Sequence, residues 1–315
     1  VNDLLANAYR ALDLATPLDK AQPWYVERPG DPIGLLRLEL QLSSSPTRAI
    51  LAGQRGVGKS TELLRLRSPD DTWVTLAPGG ADSNEWLAGR LIHTLKFGAA
   101  AGDLPDVLPV TGVLLIDGLE KAPPAAVVGL LDALRLVPEQ RVVCVVPIDL
   151  VLDPTYAEGL ADWTQVIVPA LPVVRRDGKV EPTVTQVLGE VLARRIGDAS
   201  VLGAGVLDFL VKNSGGIHRE LLGLAQRAVL RAIQRGLRVV DVDCAVAAVQ
   251  QRRQDLSYAL TVQDFDFLSE LERTQRLRAD PRTISLIRRN LLVSYSDEWT
   301  WFRPNPILEP MLAPA

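Results

Sequence analysis

Cysteine and histidine are nearly absent from this chain, with two of each in 315 residues. Cys144 and Cys244 stand alone in apolar contexts, which excludes a disulfide framework and predicts two buried hydrophobes. His93 and His218 have no ligand-spaced neighbours, so a histidine-based metal centre has no support. No window approaches ~18 uninterrupted apolar residues, and no membrane span is expected. Val1-Asn2-Asp3-Leu4-Leu5 has neither a basic start nor a long apolar stretch, so no signal peptide is visible and a cytoplasmic protein is expected. A basic excess is also missing. Lys and Arg total 34 against 38 Asp and Glu, for a net charge of −4, and the isoelectric point is near 5.4. That balance argues against wholesale coating of nucleic acid but leaves room for a local basic face. There is no internal repeat and no low-complexity tract. What remains, 47% hydrophobic and 23% charged residues, is the composition of a globular protein, long enough for about two domains.

One motif is complete. Gly53-Gln54-Arg55-Gly56-Val57-Gly58-Lys59-Ser60-Thr61 fits the phosphate-binding pattern G-x-x-x-x-G-K-[ST] at every fixed position. The glycines let backbone N–H groups turn inward around a polyphosphate, Lys59 reaches toward the β- and γ-phosphates, and Ser60 is the expected Mg²⁺ ligand. The setting also fits. Thr47–Ala52 is an apolar run of strand type, and Ser60–Leu66 reads as the first turns of a helix, so strand, loop and helix N-terminus form an anion site.

Beyond the loop, strand-like runs alternate with helical patterns, the signature of a parallel sheet covered on both faces. Strands are predicted near 47–53, 72–77, 112–117, 141–147 and 165–169, with helices near 59–67, 84–98, 123–136 and 154–160. The expected class is α/β, a nucleotide-binding core with a five-stranded parallel sheet over 46–172. A helical segment precedes it over 1–45, where Asp31-Pro32 reads as an N-cap followed by proline and opens a helix through Leu42. Helices are expected at 181–196, 202–213, 217–235 and 241–258, forming a domain over 173–258. Patterns at 262–277 and 281–290 precede Leu291–Phe302, which alternates aromatic and polar residues around Asp297-Glu298 as a β-hairpin does. Helices followed by a hairpin suggest a winged-helix-like unit over 259–315.

Gly112–Asp117 is an apolar run ending in an acid. A parallel sheet puts such an acid at the carboxyl edge of the strands, where Asp117 can hold a water bound to Mg²⁺. Capping the next helix is the alternative. Glu120 follows as a candidate to orient or deprotonate water, against the alternative of a solvated first-turn glutamate. No Asn-Lys-x-Asp tetrapeptide is present to read guanine, which favours adenine. Trp24, Tyr25 and Val26 are candidates to wall that base, with core packing as the alternative.

In this order the pieces resemble the AAA+/STAND branch of phosphate-loop ATPases, including NACHT-like and origin-recognition-like members. The likeness rests on Gly53–Thr61, Leu114-Leu115-Ile116-Asp117-Gly118-Leu119-Glu120, the helical stretch as a lid, and the winged-helix-like end. The Asp-Gly-hydrophobic-acid form is characteristic of the STAND side. The resemblance implies ATP/ADP and Mg²⁺ as ligands, with Gly53, Gly56, Val57, Gly58, Lys59, Ser60 and Thr61 around the phosphates. It implies that Pro147, in Val146-Pro147-Ile148, contacts the nucleotide. It also implies that Arg219, in Ser214-Gly215-Gly216-Ile217-His218-Arg219-Glu220-Leu221, reaches the γ-phosphate from the lid. An arginine on the exposed face of its helix is the alternative for Arg219. Two family features are missing. The strand Val142–Pro147 has no Asn, Ser or Thr to serve as sensor-1, and no arginine occurs between Arg141 and Arg175 to act as a finger. A slowly hydrolysing switch is therefore expected, acting on a partner protein in trans, with bacterial defence or stress signalling as the family-level setting and nucleotide-dependent assembly conceivable. The alternatives are a DNA-binding initiator or loader, presenting Arg282, Arg288 and Arg289 from a recognition helix, and a degenerate fold that binds nucleotide without turning it over.

Overall fold

A computed structural model of the chain describes residues 3–13, 22–43, 45–76, 89, 91–93, 112–137, 139–274, 280–297 and 300–312. Ser44, Glu298, Trp299 and most of the helix expected over 84–98 lie outside the described residues. The chain divides into two compact units. A sheet unit comprises Asp31–Gly53 and Lys59–Val168, and a helical unit comprises Val1–Gly30, Gln54–Gly58 and Pro169–Ala315.

The sheet unit is α/β. Its strands are β1 (Arg48–Gly53), β2 (Thr72–Thr75), β3 (Val113–Asp117), β4 (Arg141–Pro147) and β5 (Thr164–Ile167). They pair in the order β2-β3-β4-β1-β5, and every pair is parallel. Burial on both faces explains why β1, β3 and β4 are almost continuously apolar, while the edge strand β5 is exposed or half-buried and carries Thr164 and Gln165. Ile50 and Ala52, with Leu114, Ile116, Val142 and Cys144, face a helix at Pro124–Arg135 (α4, below) through Val127, Leu130, Leu131 and Leu134. The alternate residues Ala49, Leu51, Leu115, Val143 and Val145 pack on α2 (Gly34–Leu42) and α3 (Lys59–Leu66). The period of two along each strand sorts these sets to opposite faces.

Local chemistry sets the element ends. Pro123-Pro124 starts α4, with proline at the first turn where no amide hydrogen is needed. Asp31 does not cap α2 as the sequence suggests. Its carboxylate engages Arg37 at 3.2 Å and Arg65 at 3.5 Å, and the helix begins at Gly34 behind Ile33. The helix expected at 154–160 is replaced by α5 (Ile148–Leu152) and two 3₁₀ turns, Pro154–Tyr156 and Glu158–Leu160. Asp153 accepts from Thr155 N and Pro154 follows it, so the chain restarts there instead of continuing a helix.

The helical unit contains α1 (Asp3–Ala11), α6 (Pro182–Ile196), α7 (Val206–Asn213), α8 (His218–Gln234) and α9 (Val242–Ser257). It also holds α10 (Val262–Thr274), α11 (Pro281–Arg288), the antiparallel pair β6 (Leu292–Ser296) and β7 (Thr300–Pro304), and α12 (Glu309–Leu312). Helix α8 is the hub, packed by α1, α6, α7 and α9, and Leu221, Leu224, Ala225, Ala228 and Val229 are its buried stripe. Asp241 and Asp280 cap α9 and α11 through Cys244 N and Thr283 N, each at 2.8 Å. α7 starts later than expected, because Gly205 at φ +74° breaks the segment before Val206. Both cysteines are free and buried. Among the described residues, no helix is long and apolar enough to cross a membrane.

Candidate phosphate-binding site

β1 delivers the chain to the loop at Gly53, and α3 takes it away at Lys59. Between them Gly56 and Gly58 sit at φ +92° and +101°, values that side chains with a Cβ rarely adopt. Gly56 has a second constraint: a Cβ there would lie 2.6 Å from Arg219 Cβ. Lys59, almost fully buried, donates from Nζ to Gly53 O at 2.9 Å. Ser60, the second residue of α3, donates from Oγ to Asp117 Oδ1 at 3.0 Å. Thr61 is partly buried beside it.

β3 carries Asp117 to the same edge, although β4 lies between β1 and β3. Asp117 is buried, and Gly118 N also donates to its Oδ1, at 2.9 Å. Its carboxyl is held above the usual carboxylate range, first by burial and then by the charge of Glu120. Hydrogen bonds from Ser60 and Gly118 and the charge of Lys59 oppose that rise without cancelling it. Gly118, at φ +94°, turns the chain sharply into a 3₁₀ turn at Leu119–Lys121. Glu120 therefore stands in that turn, before α4 and outside its first turn. Its Oε2 is buried with no hydrogen-bonding partner. Pro147, at the end of β4, is the register partner of Gly53.

A buried carboxylate beside a serine hydroxyl suits a hard cation, and the orphaned oxygen of Glu120 is a site a water can satisfy. Among the described residues no three His, Cys, Asp or Glu side chains gather as a metal cage. Mg²⁺ characteristically needs none, taking one or two protein oxygens and completing its shell with phosphate and water. Ser60 and Asp117 fit that habit.

The five tip residues, Gln54–Gly58, belong to the helical unit, and their carbonyls are held there. Arg55 O accepts from Asn290 Nδ2 at 3.2 Å, Gly56 O from Arg219 N at 3.1 Å, and Val57 O from Arg28 Nη1 at 3.3 Å. Gln54 is buried and makes three contacts with the segment around β6. Its Nε2 donates to Leu292 O at 2.6 Å and Ile287 O at 3.2 Å, and its Oε1 accepts from Ser294 N at 2.6 Å. His218, beside Arg219, has its pKa lowered to about 4 by burial and by Arg28, against a hydrogen bond with the Val57 backbone. Arg219 thus lies at the loop tip through its backbone, with its side chain exposed. Gln54, Arg28, His218 and Asn290 are contacts that the motif alone does not predict.

Tyr25 and Val26 lie in the helical unit. Tyr25 is buried, with its carbonyl accepting from Arg194 Nη1 at 2.6 Å, and Val26 is partly buried. Arg195 stands 5.6 Å over the exposed ring of Trp24.

No protein-family model matches the sequence, and no curated protein matches it. Solved structures do. A chain of Drosophila ORC bound to DNA is 14% identical, with 98% of this chain and 91% of that one covered and a TM-score of 0.47. Cdc6p from Pyrobaculum aerophilum is 13% identical over 96% of each chain, with a TM-score of 0.45. The RuvB Holliday junction branch migration motor of Thermotoga maritima is 12% identical, covering 89% and 92%, with a TM-score of 0.45. At that level of likeness, the function has to be argued from this chain's own residues.

Proposed function

We propose that this chain is a nucleotide-dependent switch, an AAA+/STAND-type ATPase that binds ATP with Mg²⁺ and hydrolyses it slowly. The observation that carries the reading is the Ser60–Asp117 pair at 3.0 Å with the unsatisfied Oε2 of Glu120 nearby in sequence and charge. In this reading Gly53–Thr61 cradles the phosphates and Lys59 leaves Gly53 O to reach them. Ser60 and Asp117 hold Mg²⁺, which supplies neutralising charge for the phosphate oxygens. Glu120 orients the attacking water and accepts its proton. Tyr25 and Val26 are assigned to the adenine, and Pro147 to a contact with the nucleotide.

The switch character is supported by the loop tip. Gln54–Gly58 is bonded to Arg28, Arg219, Asn290 and the β6 segment, so a change in tip geometry on nucleotide exchange meets the helical unit directly. We assign 173–258 as the lid and 259–315 as a winged-helix-like output unit, with Arg219 reporting the γ-phosphate to a cytoplasmic partner protein. A DNA-reading role for α11 is less favoured. Arg282 is engaged by Gln263 Oε1 at 2.6 Å and Arg289 by Asp264 at 3.3 Å.

The test is single-turnover ATP hydrolysis by the wild type, Lys59→Ala and Glu120→Gln. Glu120→Gln is expected to keep ATP binding while hydrolysis falls about 10²–10⁴-fold, the usual contribution of a positioned base. Lys59→Ala is expected to lose binding itself. Equal background rates in all three would leave only a nucleotide-binding scaffold.

A further inference from the structure

The helical unit contains a second cationic feature. A cavity of about 350 Å³ opens among α8, α9 and the end of α11, and six arginines are among the residues that line it: Arg55, Arg219, Arg227, Arg252, Arg288 and Arg289. A single carboxylate, Glu220, shares the lining.

Acids hold Arg252, Arg227 and Arg289. Glu220, nearly buried, takes Arg252 through Nε at 2.6 Å and Nη2 at 3.0 Å. Asp255 takes Arg227 at 2.7 Å and also accepts from Gln251 at 3.3 Å. Arg289 is spent on the protein itself, through Nη2 with Asp264 at 3.3 Å, Nε with Ser285 O at 3.3 Å and Nη1 with Ala259 O. Guanidinium groups held this way have little further rotamer freedom to lose when a ligand arrives.

The lining also includes Gly223, in the interior of α8 between Arg219 and Arg227. Glycine inside a helix is destabilising relative to alanine, so packing or space is the usual reason for one. A Cβ built on Gly223 meets nothing within 4 Å, so a larger side chain there is not blocked by packing. The missing side chain widens the cavity and leaves no contact unmade.

We propose that this cavity binds a compact oligophosphate, two or more linked phosphoryl groups, either free or carried by a small molecule. Planar guanidinium forks take phosphate oxygens two at a time. The volume is at the small end of ligand sites, which suits linked phosphates better than an extended acidic chain. All of its lining residues belong to the helical unit, and the proposed binding does not depend on hydrolysis. A ligand there would contact Arg55 and Arg219, residues of the loop tip and its bonding partner, and so bear on the same tip that meets the nucleotide.

The experiment is calorimetric titration of the full chain saturated with Mg²⁺ and ADP, comparing the wild type with Gly223→Leu. Inorganic tripolyphosphate represents the free ligand, diadenosine tetraphosphate the carried one, and short polyglutamate the acidic peptide. We expect saturable binding of at least one phosphate probe to the wild type. Gly223→Leu should weaken it about tenfold or more, with helicity retained and ADP affinity unchanged. ADP binding is measured first and separately, so failure of the switch reading shows there and failure of this site shows in the second titration. Absence of phosphate binding, equal binding by Gly223→Leu, or tighter binding of polyglutamate would each overturn the proposal.

Discussion

Asp117 sits in an unfavourable place for an anion. Burial and the neighbouring Glu120 both raise its pKa, while Ser60, Gly118 and Lys59 only partly offset them. A carboxyl whose folded pKa lies above its unfolded value favours the folded state below the unfolded pKa, and loses that advantage as pH rises through the folded one. At neutral pH the ionised form is therefore a liability until a cation arrives. Asp117→Asn keeps an oxygen where Ser60 Oγ and Gly118 N can still donate, and removes the charge. The ligand-free variant is expected to melt higher than the wild type at neutral pH, with the gain vanishing in acid. The further rise in melting temperature on adding Mg²⁺ with ADP should shrink, since the metal has lost its anionic ligand. Differential scanning fluorimetry with and without Mg²⁺–ADP measures both. A lower ligand-free melting temperature for Asp117→Asn would show that the carboxylate is structural, not stored for a cation.

The tip of the loop shows what sequence reading can and cannot reach at the level of elements. The fixed positions Gly53, Gly58, Lys59 and Ser60 were legible because backbone geometry and phosphate chemistry dictate them locally. Strands β1, β3 and β4 were legible for a similar reason, since burial on both faces leaves a continuous apolar run. Gln54 occupies an unspecified position of the motif. Its partners Ile287, Leu292 and Ser294 are more than two hundred residues away, so no local pattern announces them. The same limit applies to the start of α2, where Arg65 competes for the Asp31 carboxylate, and to Arg28 at Val57. Gln54→Ala should leave Ser294 N, in a buried residue, without its acceptor and take the Gln54 donor from Leu292 O, while Ile287 O keeps Asn290 N at 3.0 Å. Each buried polar group left unpaired costs about 1–3 kcal/mol, so a loss of roughly 2–4 kcal/mol in the urea unfolding of the chain is expected. Gln54→Glu preserves the acceptor but sets a carboxylate against two carbonyl oxygens, and should be at least as damaging. A loss below about 0.5 kcal/mol, the level of an ordinary surface substitution, would mean that Gln54 is not the tether described.

For the molecule as a whole, the tip contacts make acid stability a readout of how the loop is held. His218 has its pKa brought down to about 4 by burial and by Arg28, whose Nη groups hold Val57 O and Pro169 O. The unfolded chain, with a histidine pKa near 6.5, binds that proton first as pH falls. A depressed folded pKa therefore gives stability that is complete above about pH 6.5 and is lost down to about pH 4. Between about pH 7.5 and about pH 5 the loss amounts to at most about 2 kcal/mol, less to the extent that the ring meets solvent. Protonation would also place a second cation beside Arg28, against the segment that holds Gly56 and Val57. His218→Gln removes the titration and keeps a polar side chain, so its unfolding free energy should change less than the wild type's over this range. Carboxylates titrate in both proteins, and the difference between the two pH profiles isolates His218. Parallel profiles would mean that His218 reaches water, and that the loop tip is less tightly enclosed than its hydrogen bonds suggest.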